Sequence, residues 1–332
     1  MGNVSIIIDL SLSNIWQSWF KFKRGKKITK EFEYFQYRLE DNLWRLYLDL
    51  KQNNYQHGPY RRFTVMENKR RQLAVATIRD RVIHRLIYEY LTPIYDKTFI
   101  YDVWSCRKNK GLFGAITRTQ KILKKYTSCF IWRADIAKFF NNVNKNTLIN
   151  IISRKIKDEI ALKLIKEIIA SYGCGQDNKS RTTRERVNNA RGIPIGNLTS
   201  QIFANIYLNE FDRFVKHCLK PKFYLRYGDD FIIIAEQKTV LEKLRHLAIE
   251  FLKNNLRLEI NPKNDIIIPV RRGACFLGTK MYPTGRRLKA RSWRRAVNRL
   301  NSRNAASYHG LINQHYCKKI KYFDWLISNL HE

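Results

Sequence analysis

From Lys30 to Lys51 apolar residues recur at intervals of three and four, at Phe32, Phe35, Leu39, Leu43, Leu46 and Leu50, and the period predicts an amphipathic helix. Before it, Trp16, Trp19, Phe20 and Phe22 are interleaved with Lys21, Lys23, Arg24, Lys26 and Lys27, a helical lead-in with a basic face. Residues 67–81 read as a hairpin with cations at its tip. It runs into a helix whose apolar side carries Val82, Ile83, Leu86, Ile87 and Leu91. Residues 130–135 read as a buried strand that ends near Asp135 and turns into a helix. Residues 153–191 predict a basic helical insertion, broken at Gly173-Cys174-Gly175 and followed by a basic loop over 179–184.

Gly192-Ile193-Pro194-Ile195-Gly196-Asn197 then leads into a helix with Ile202, Phe203, Ile206, Tyr207, Phe211, Phe214 and Val215 on one side. Residues 223–234 place two β-rich runs around a Gly-Asp pair, the signature of a two-residue hairpin in which glycine supplies a positive φ. Downstream the pattern predicts a helix over 240–256, a strand pair over 256–268 around Asn261-Pro262-Lys263, and a strand over 275–282. From Arg286 an arginine-rich helix follows, with Trp293, Val297 and Leu300 on one side. There is no internal repeat and no low-complexity linker, and the mixture of elements is that of an α+β protein.

Length and charge sharpen this picture. At 332 residues the chain exceeds one typical domain, so two or three lobes are expected. It carries 63 Lys and Arg against 28 Asp and Glu, a net charge of +35, with 13% aromatic residues. That excess points to a polyanionic partner, most economically nucleic acid, although a merely basic or ribosome-like protein has the same balance. The six cysteines form no Cys-x-x-Cys pair, which argues against zinc and for reduced thiols in a cytosol. Ser5-Ile6-Ile7-Ile8 is too short for a signal segment, and Gly2 lacks the Ser or Thr at position 6 of a myristoylation signal. No apolar run approaches the roughly 20 residues of a membrane span. The expectation is a soluble intracellular protein with no membrane partner.

Candidate chemistry concentrates in four places. Asp229 and Asp230 lie adjacent at the predicted hairpin tip, where like charges should raise one pKa unless a divalent cation neutralises them. Taken alone, such a pair is more often a solvated turn. Asp135 ends an apolar strand, a costly position for a carboxylate without a cation. The hairpin cations and the basic loop Ser105-Cys106-Arg107-Lys108-Asn109-Lys110-Gly111 offer donors to phosphate oxygens, though no Walker pattern is present. The Gly192–Asn197 loop at a helix N-terminus suits a nucleotide lying against backbone, and equally a plain turn.

Taken in order, these segments resemble a reverse transcriptase over roughly residues 60–285. Asp135 with Phe139-Phe140 matches the first carboxylate motif, and Gly192-Ile-Pro-Ile-Gly through Ala204-Asn205 the next. Tyr227-Gly228-Asp229-Asp230 matches the catalytic hairpin, and Phe276-Leu277-Gly278 the primer grip. The resemblance implies a right-hand polymerase, with a basic helical extension over 1–60, fingers over 61–129, palm over 130–152, a fingers insertion over 153–191, palm again over 192–285 and a small helical thumb over 286–332. It implies two Mg²⁺ ions held at Asp135, Ile136, Asp229 and Asp230. Deoxynucleotides would meet Lys69 and Arg71 at the triphosphate, and Phe140, Ile195 and Gly196 at the nucleotide. The RNA template and the primer would meet Arg79, Arg81, Arg107, Tyr227 and Gly278, and Lys263 would protonate pyrophosphate.

Within the family, the core Ile-Pro-Ile-Gly-Asn-Leu-Thr-Ser-Gln carries Ile195 where retroviral and group II intron enzymes usually have glutamine. It looks like the enzymes of diversity-generating retroelements. The sequence stops after a short thumb, leaving no room for RNase H, maturase or endonuclease domains, which counts against a self-sufficient group II intron protein. The branch implies a bacterial or phage-infected cytoplasm, a template-repeat RNA copied into cDNA with errors at adenines, and an accessory variability determinant protein as partner. A defence-type or group II intron-like reverse transcriptase and a non-catalytic RNA-binding scaffold are the alternatives, the scaffold disfavoured by the intact aspartates.

Overall fold

The computed structural model describes residues 6–66, 70–173, 191–315 and 320–331. The chain divides into two compact units and passes between them several times: one is built from residues 1–99, 137–212 and 251–258, the other from 100–136, 213–250 and 259–332.

The first unit opens with α1 (Leu12–Lys23), α2 (Lys30–Tyr37) and α3 (Leu39–Lys51). Ser11 and Thr29 cap α1 and α2 by accepting from the amides of Asn14 and Phe32, satisfying donors that the first helical turn leaves free. The single helix expected over 30–51 is two helices, broken at Arg38, whose φ of −110° and ψ of 42° lie outside helical range. Both halves still bury the predicted residues Phe32, Phe35, Leu43, Leu46 and Leu50, with the Trp19 and Phe32 rings stacked 5.2 Å apart. The hairpin expected within 67–81 starts further upstream: β1 (Arg61–Met66), before the predicted stretch, pairs antiparallel with β2 (Arg70–Val75), which feeds α4 (Ile78–Tyr95), capped by Thr77.

The second unit begins, in chain order, with α5 (Leu112–Lys125) and β3 (Phe130–Asp135). The chain then returns to the first unit for α6 (Phe139–Asn142), α7 (Lys145–Lys155), α8 (Glu159–Ala170) and most of α9 (Leu198–Phe214). The expected insertion helix is thus already interrupted between Lys155 and Glu159, while Cys174, Gly175 and the loop 179–184 lie outside the described residues. Helix α9 is buried on more than the one predicted side: Thr199, Ser200, Asn205, Asn209 and Asp212 are as enclosed as Ile202 and Phe203.

The sheet that organises the second unit adds β4 (Phe223–Tyr227), β5 (Asp230–Ala235) and, after α10 (Lys238–Leu256), β6 (Ile266–Pro269). Its order is β4-β5-β3-β6, all neighbours antiparallel. Ile131, Leu225, Ile232 and Ile234 share one face and pack with Trp104, Ile116, Leu123, Phe276 and Met281. Trp132, Tyr224 and Phe231 share the other, with Trp132 and Phe231 edge to face at 5.2 Å. Both faces are therefore covered, which is why the strands read as continuous apolar runs rather than alternating ones.

Three predicted elements of this unit differ. Residues 256–268 are not a strand pair: Asn261 caps a short 3-10 turn at Pro262–Asn264, where proline lacks a ladder donor, and only β6 is a strand. Residues 275–282 are not one strand but a hairpin, β7 (Ala274–Phe276) and β8 (Thr279–Tyr282), because Leu277 and Gly278 both take positive φ, 49° and 79°. The arginine-rich helix starts later than expected, as α11 (Ala290–Asn298), since Gly285–Leu288 adds a third strand, β9, across the boundary expected at 285–286. Then α12 (Ala305–Asn313) and α13 (Ile320–Ser328) close a small core on Ala296, Ile312 and Phe323.

Candidate active site

In the second unit three aspartates meet at the ends of adjacent strands. Tyr227 pairs with Asp230, so Gly228 and Asp229 form a two-residue turn; Gly228 takes the positive φ (63°) that the sequence requires of it. Asp230 in β5 lies directly opposite Asp135 in β3. Main-chain bonds fix this end of the sheet: the Ile136 amide donates to the Asp229 carbonyl (3.2 Å) and the Asn261 amide to the Asp135 carbonyl (2.9 Å).

The carboxyls of Asp229 and Asp135 act electrostatically on that of Asp230. Burial pushes the Asp230 carboxyl up to about 6, Asp229 beside it and Asp135 opposite add to the shift, and Arg133 opposes it from 3.6 Å. Asp135 Oδ2 accepts from Asn261 Nδ2 at 3.3 Å, whereas its Oδ1 is buried with no hydrogen-bond partner. Among the described residues no three His, Cys, Asp or Glu side chains converge closely enough to cage a metal ion by themselves. The donor set nevertheless fits a hard divalent cation: an unsatisfied buried carboxylate oxygen, a neighbouring carboxyl with a raised pKa, and oxygen ligands only.

Lys263 is exposed on the 3-10 turn that Asn261 begins, and its amide donates to Asn261 Oδ1. Tyr227 is half-buried, its hydroxyl pKa raised by burial and by nearby Cys106. Arg107 folds back onto its own loop, Nη1 donating to the carbonyls of Ile100 and Val103. Gly278 sits at the β7–β8 turn with open space where a Cβ would project.

The first unit gathers a second group, around the ribbon after Gly192. The Gly192 amide donates to Val143 O and the Ile193 amide to Phe140 O, both at 2.8 Å, while the Ala74 amide donates to Ile195 O at 3.0 Å. Asn197, buried, strengthens the tie to β2: its Oδ1 accepts from the Ala76 amide (3.1 Å) and its Nδ2 donates to Ala74 O (2.7 Å). Gly196 has a φ of +115° and a Cβ there would sit 3.7 Å from Ala74 O. The structure thus brings Phe140, Ile195 and Gly196 to one ribbon beside β2, which also carries exposed Arg71. Phe139 is core and Phe140 half-exposed, their rings perpendicular at 5.3 Å.

Arg79 and Arg81 are elsewhere in this unit. Arg79 pairs with Asp49 at 2.7 Å, donates to Gln56 O and lies over the Tyr55 ring, so its guanidinium already has protein partners. Arg81 lies over Phe22 at 5.0 Å, its pKa lowered by burial. Lys69 lies outside the described residues.

Sequence reasoning missed Arg133, Asn261 and Asn197. Arg133 had a signal, since two residues before Asp135 on a strand means the same face; the asparagines act across 126 and about 120 positions of chain and had none.

Residues 50–278, more than two thirds of the chain, match the family described as "Reverse transcriptase (RNA-dependent DNA polymerase)". Protein YkfC of Escherichia coli K12 is 26% identical over 286 residues, 74% of this chain and 72% of that one. The putative COX1/OXI3 intron 2 protein of Saccharomyces cerevisiae is 24% identical over 296 residues, 70% of this chain and 33% of that one. The group II intron-encoded protein LtrA of Lactococcus lactis is 29% identical over 189 residues, 55% of this chain and 30% of that one. The match thus spans about a third of each of these two intron proteins. With its carboxylates at the ends of β3 and β5 and this match, the chain belongs to the reverse transcriptases, the RNA-dependent DNA polymerases of right-hand fold.

Proposed function

We propose that the chain extends a DNA 3′-hydroxyl on an RNA template at Asp135, Asp229 and Asp230. The observation that carries this is the register of β3 and β5, which sets Asp135 opposite Asp230 with a buried carboxylate oxygen still lacking a partner. Two Mg²⁺ ions bound by these aspartates and the Ile136 carbonyl would acidify the 3′-hydroxyl and stabilise charge at the phosphorus being attacked. In this reading Asp135 and Asp229 are the principal ligands, Asp230 the weaker one, and Lys263 gives a proton to departing pyrophosphate. Lys69 and Arg71 hold the triphosphate, and Phe140 blocks a ribose 2′-hydroxyl beside Ile195 and Gly196. Arg79, Arg81, Arg107, Tyr227 and Gly278 meet template and primer.

The finer proposal is service to a diversity-generating retroelement, in which a template-repeat RNA is copied with errors at adenines in the cytoplasm of a bacterium or phage-infected cell, together with an accessory protein. Its support is the Ile-Pro-Ile-Gly-Asn core. There the main chain of Ile195 is tied to Ala74, leaving only an apolar side chain where related enzymes place glutamine. A lost hydrogen bond removes about 0.5–1.5 kcal/mol of discrimination, roughly threefold to tenfold. The test is to sequence cDNA made by wild type and Ile195→Gln on one template with the native RNA and partner. Fewer errors opposite adenine in the variant support the reading; the same spectrum in both removes Ile195 from it, and no adenine bias in wild type removes the retroelement. The likeness to LtrA favours a second reading, a group II intron-type enzyme. In neighbouring DNA, a near-identical repeat pair differing at adenines distinguishes the first from the second.

A further inference from the structure

We infer that Arg226 is a positioning residue that sets the Gly228–Asp229 turn, and so the Asp229 carboxylate, from inside the protein. The inference rests on the proposed role of Asp229. Arg226 is fully buried, an exceptional place for a guanidinium, and stands two residues before the turn. Its Nη1 donates to the Gly228 carbonyl at 2.9 Å. The next carbonyl, that of Asp229, accepts from the Ile136 amide. Both peptide groups that flank the Asp229 Cα are therefore held, one by a side chain and one by a neighbouring strand. A two-residue turn so held cannot shift the Asp229 Cα, from which the carboxylate projects, without breaking one of these bonds.

Arg226 is itself fixed. Strand β4 is an edge of the sheet, and at Arg226 that edge is filled by residues 102–104: the Arg226 amide donates to Asp102 O and the Trp104 amide to Arg226 O, each at 3.0 Å, in a parallel bridge with Val103. Asp102 is in turn gripped by α5, where Arg118 makes a two-pronged contact with it at 2.9 and 3.0 Å, and by Trp104 Nε1 at 3.1 Å. Ser105 Oγ closes the other side, 3.9 Å from where a Gly228 Cβ would be. The chain of contacts runs Arg118, Asp102, Arg226, Gly228, Asp229, with every link inside one unit. Arginine suits the task because its planar fork is pre-organised, whereas a lysine ammonium is a point donor on a flexible stem.

The test compares Arg226→Met with wild type. Methionine keeps the buried bulk and removes charge and donor; the Gly228 carbonyl then loses its partner, so the variant should be less stable than wild type. The melting temperature should fall by up to about 10 °C while the protein stays folded under assay conditions. On an RNA template, kcat should fall by about tenfold to a hundredfold, the cost of a misplaced reacting group, with the KM for deoxynucleotide little changed. Half-saturation by Mn²⁺, read directly by calorimetry, should rise. A folded methionine variant with wild-type kcat and Mn²⁺ binding overturns the inference. If that variant does not fold, Arg226→Lys takes its place; it should fold and lose roughly fivefold or more in kcat, and wild-type kcat in it also overturns the inference. Asp229→Ala run alongside separates the two failures: an active Asp229→Ala refutes the site, whereas an inactive one beside a fully active Arg226→Met refutes only the positioning role.

Discussion

Phe139 and Phe140 are neighbours in sequence with different surroundings. Phe139 is closed in against Tyr207, while Phe140 is half-exposed and its carbonyl holds Ile193. Phe139→Ala should cost about 3–5 kcal/mol of stability, as for other core phenylalanines. Phe140→Ala should leave the melting temperature nearer wild type and admit ribonucleotides, read as the ratio of ribonucleotide to deoxynucleotide incorporation. Unchanged sugar selection would move that role to another side chain. At this scale the placement of the aspartates was legible, from the apolar strand before Asp135 and the turn signal at Gly228, whereas their role was suggested by the ordered motifs and not by the Asp-Asp pair alone. Arg79 shows the limit of such reading: the sequence shows a cation, and only the fold shows Asp49 and Tyr55 around it.

The elements were legible where a period or a turn signal was strong, as in the β4–β5 hairpin and α4, whereas the β1–β2 hairpin begins upstream of the stretch expected for it. They were missed where one backbone conformation overrode the pattern: Arg38 splitting a helix, Leu277 and Gly278 turning a strand into a hairpin, Pro262 replacing a strand by a 3-10 turn. The residue after that turn links three elements, since Asp265 accepts from Trp132 Nε1 of β3 at 2.8 Å and from Arg245 of α10. The Arg245 guanidinium, with help from Trp132 and against some burial, holds the Asp265 carboxyl below its ordinary value. A carboxyl lowered on folding adds stability above its unfolded pKa, near 4, and loses it as pH falls through the folded value. Thermal melts of wild type and Asp265→Asn should therefore differ most at neutral pH and converge as pH falls below about 4. A difference that stays constant across that range would show that the Asp265 charge is not what joins these elements.

The whole molecule is a strongly basic chain of two compact units with a carboxylate cluster at one end of a four-stranded sheet. Charge pointed to a polyanion and the ordered motifs to a polymerase; neither could show that the chain crosses repeatedly between units, because that is a property of contacts far apart in sequence. The central claim is that Asp229, with Asp135 and Asp230, carries RNA-directed DNA synthesis. The most direct measurement is primer extension on an RNA template with deoxynucleotides and Mg²⁺, by wild type and by Asp229→Ala of equal melting temperature. Wild type should extend the primer, and Asp229→Ala should lose nearly all of that activity while retaining RNA binding. Full extension by the folded Asp229→Ala protein would contradict the account.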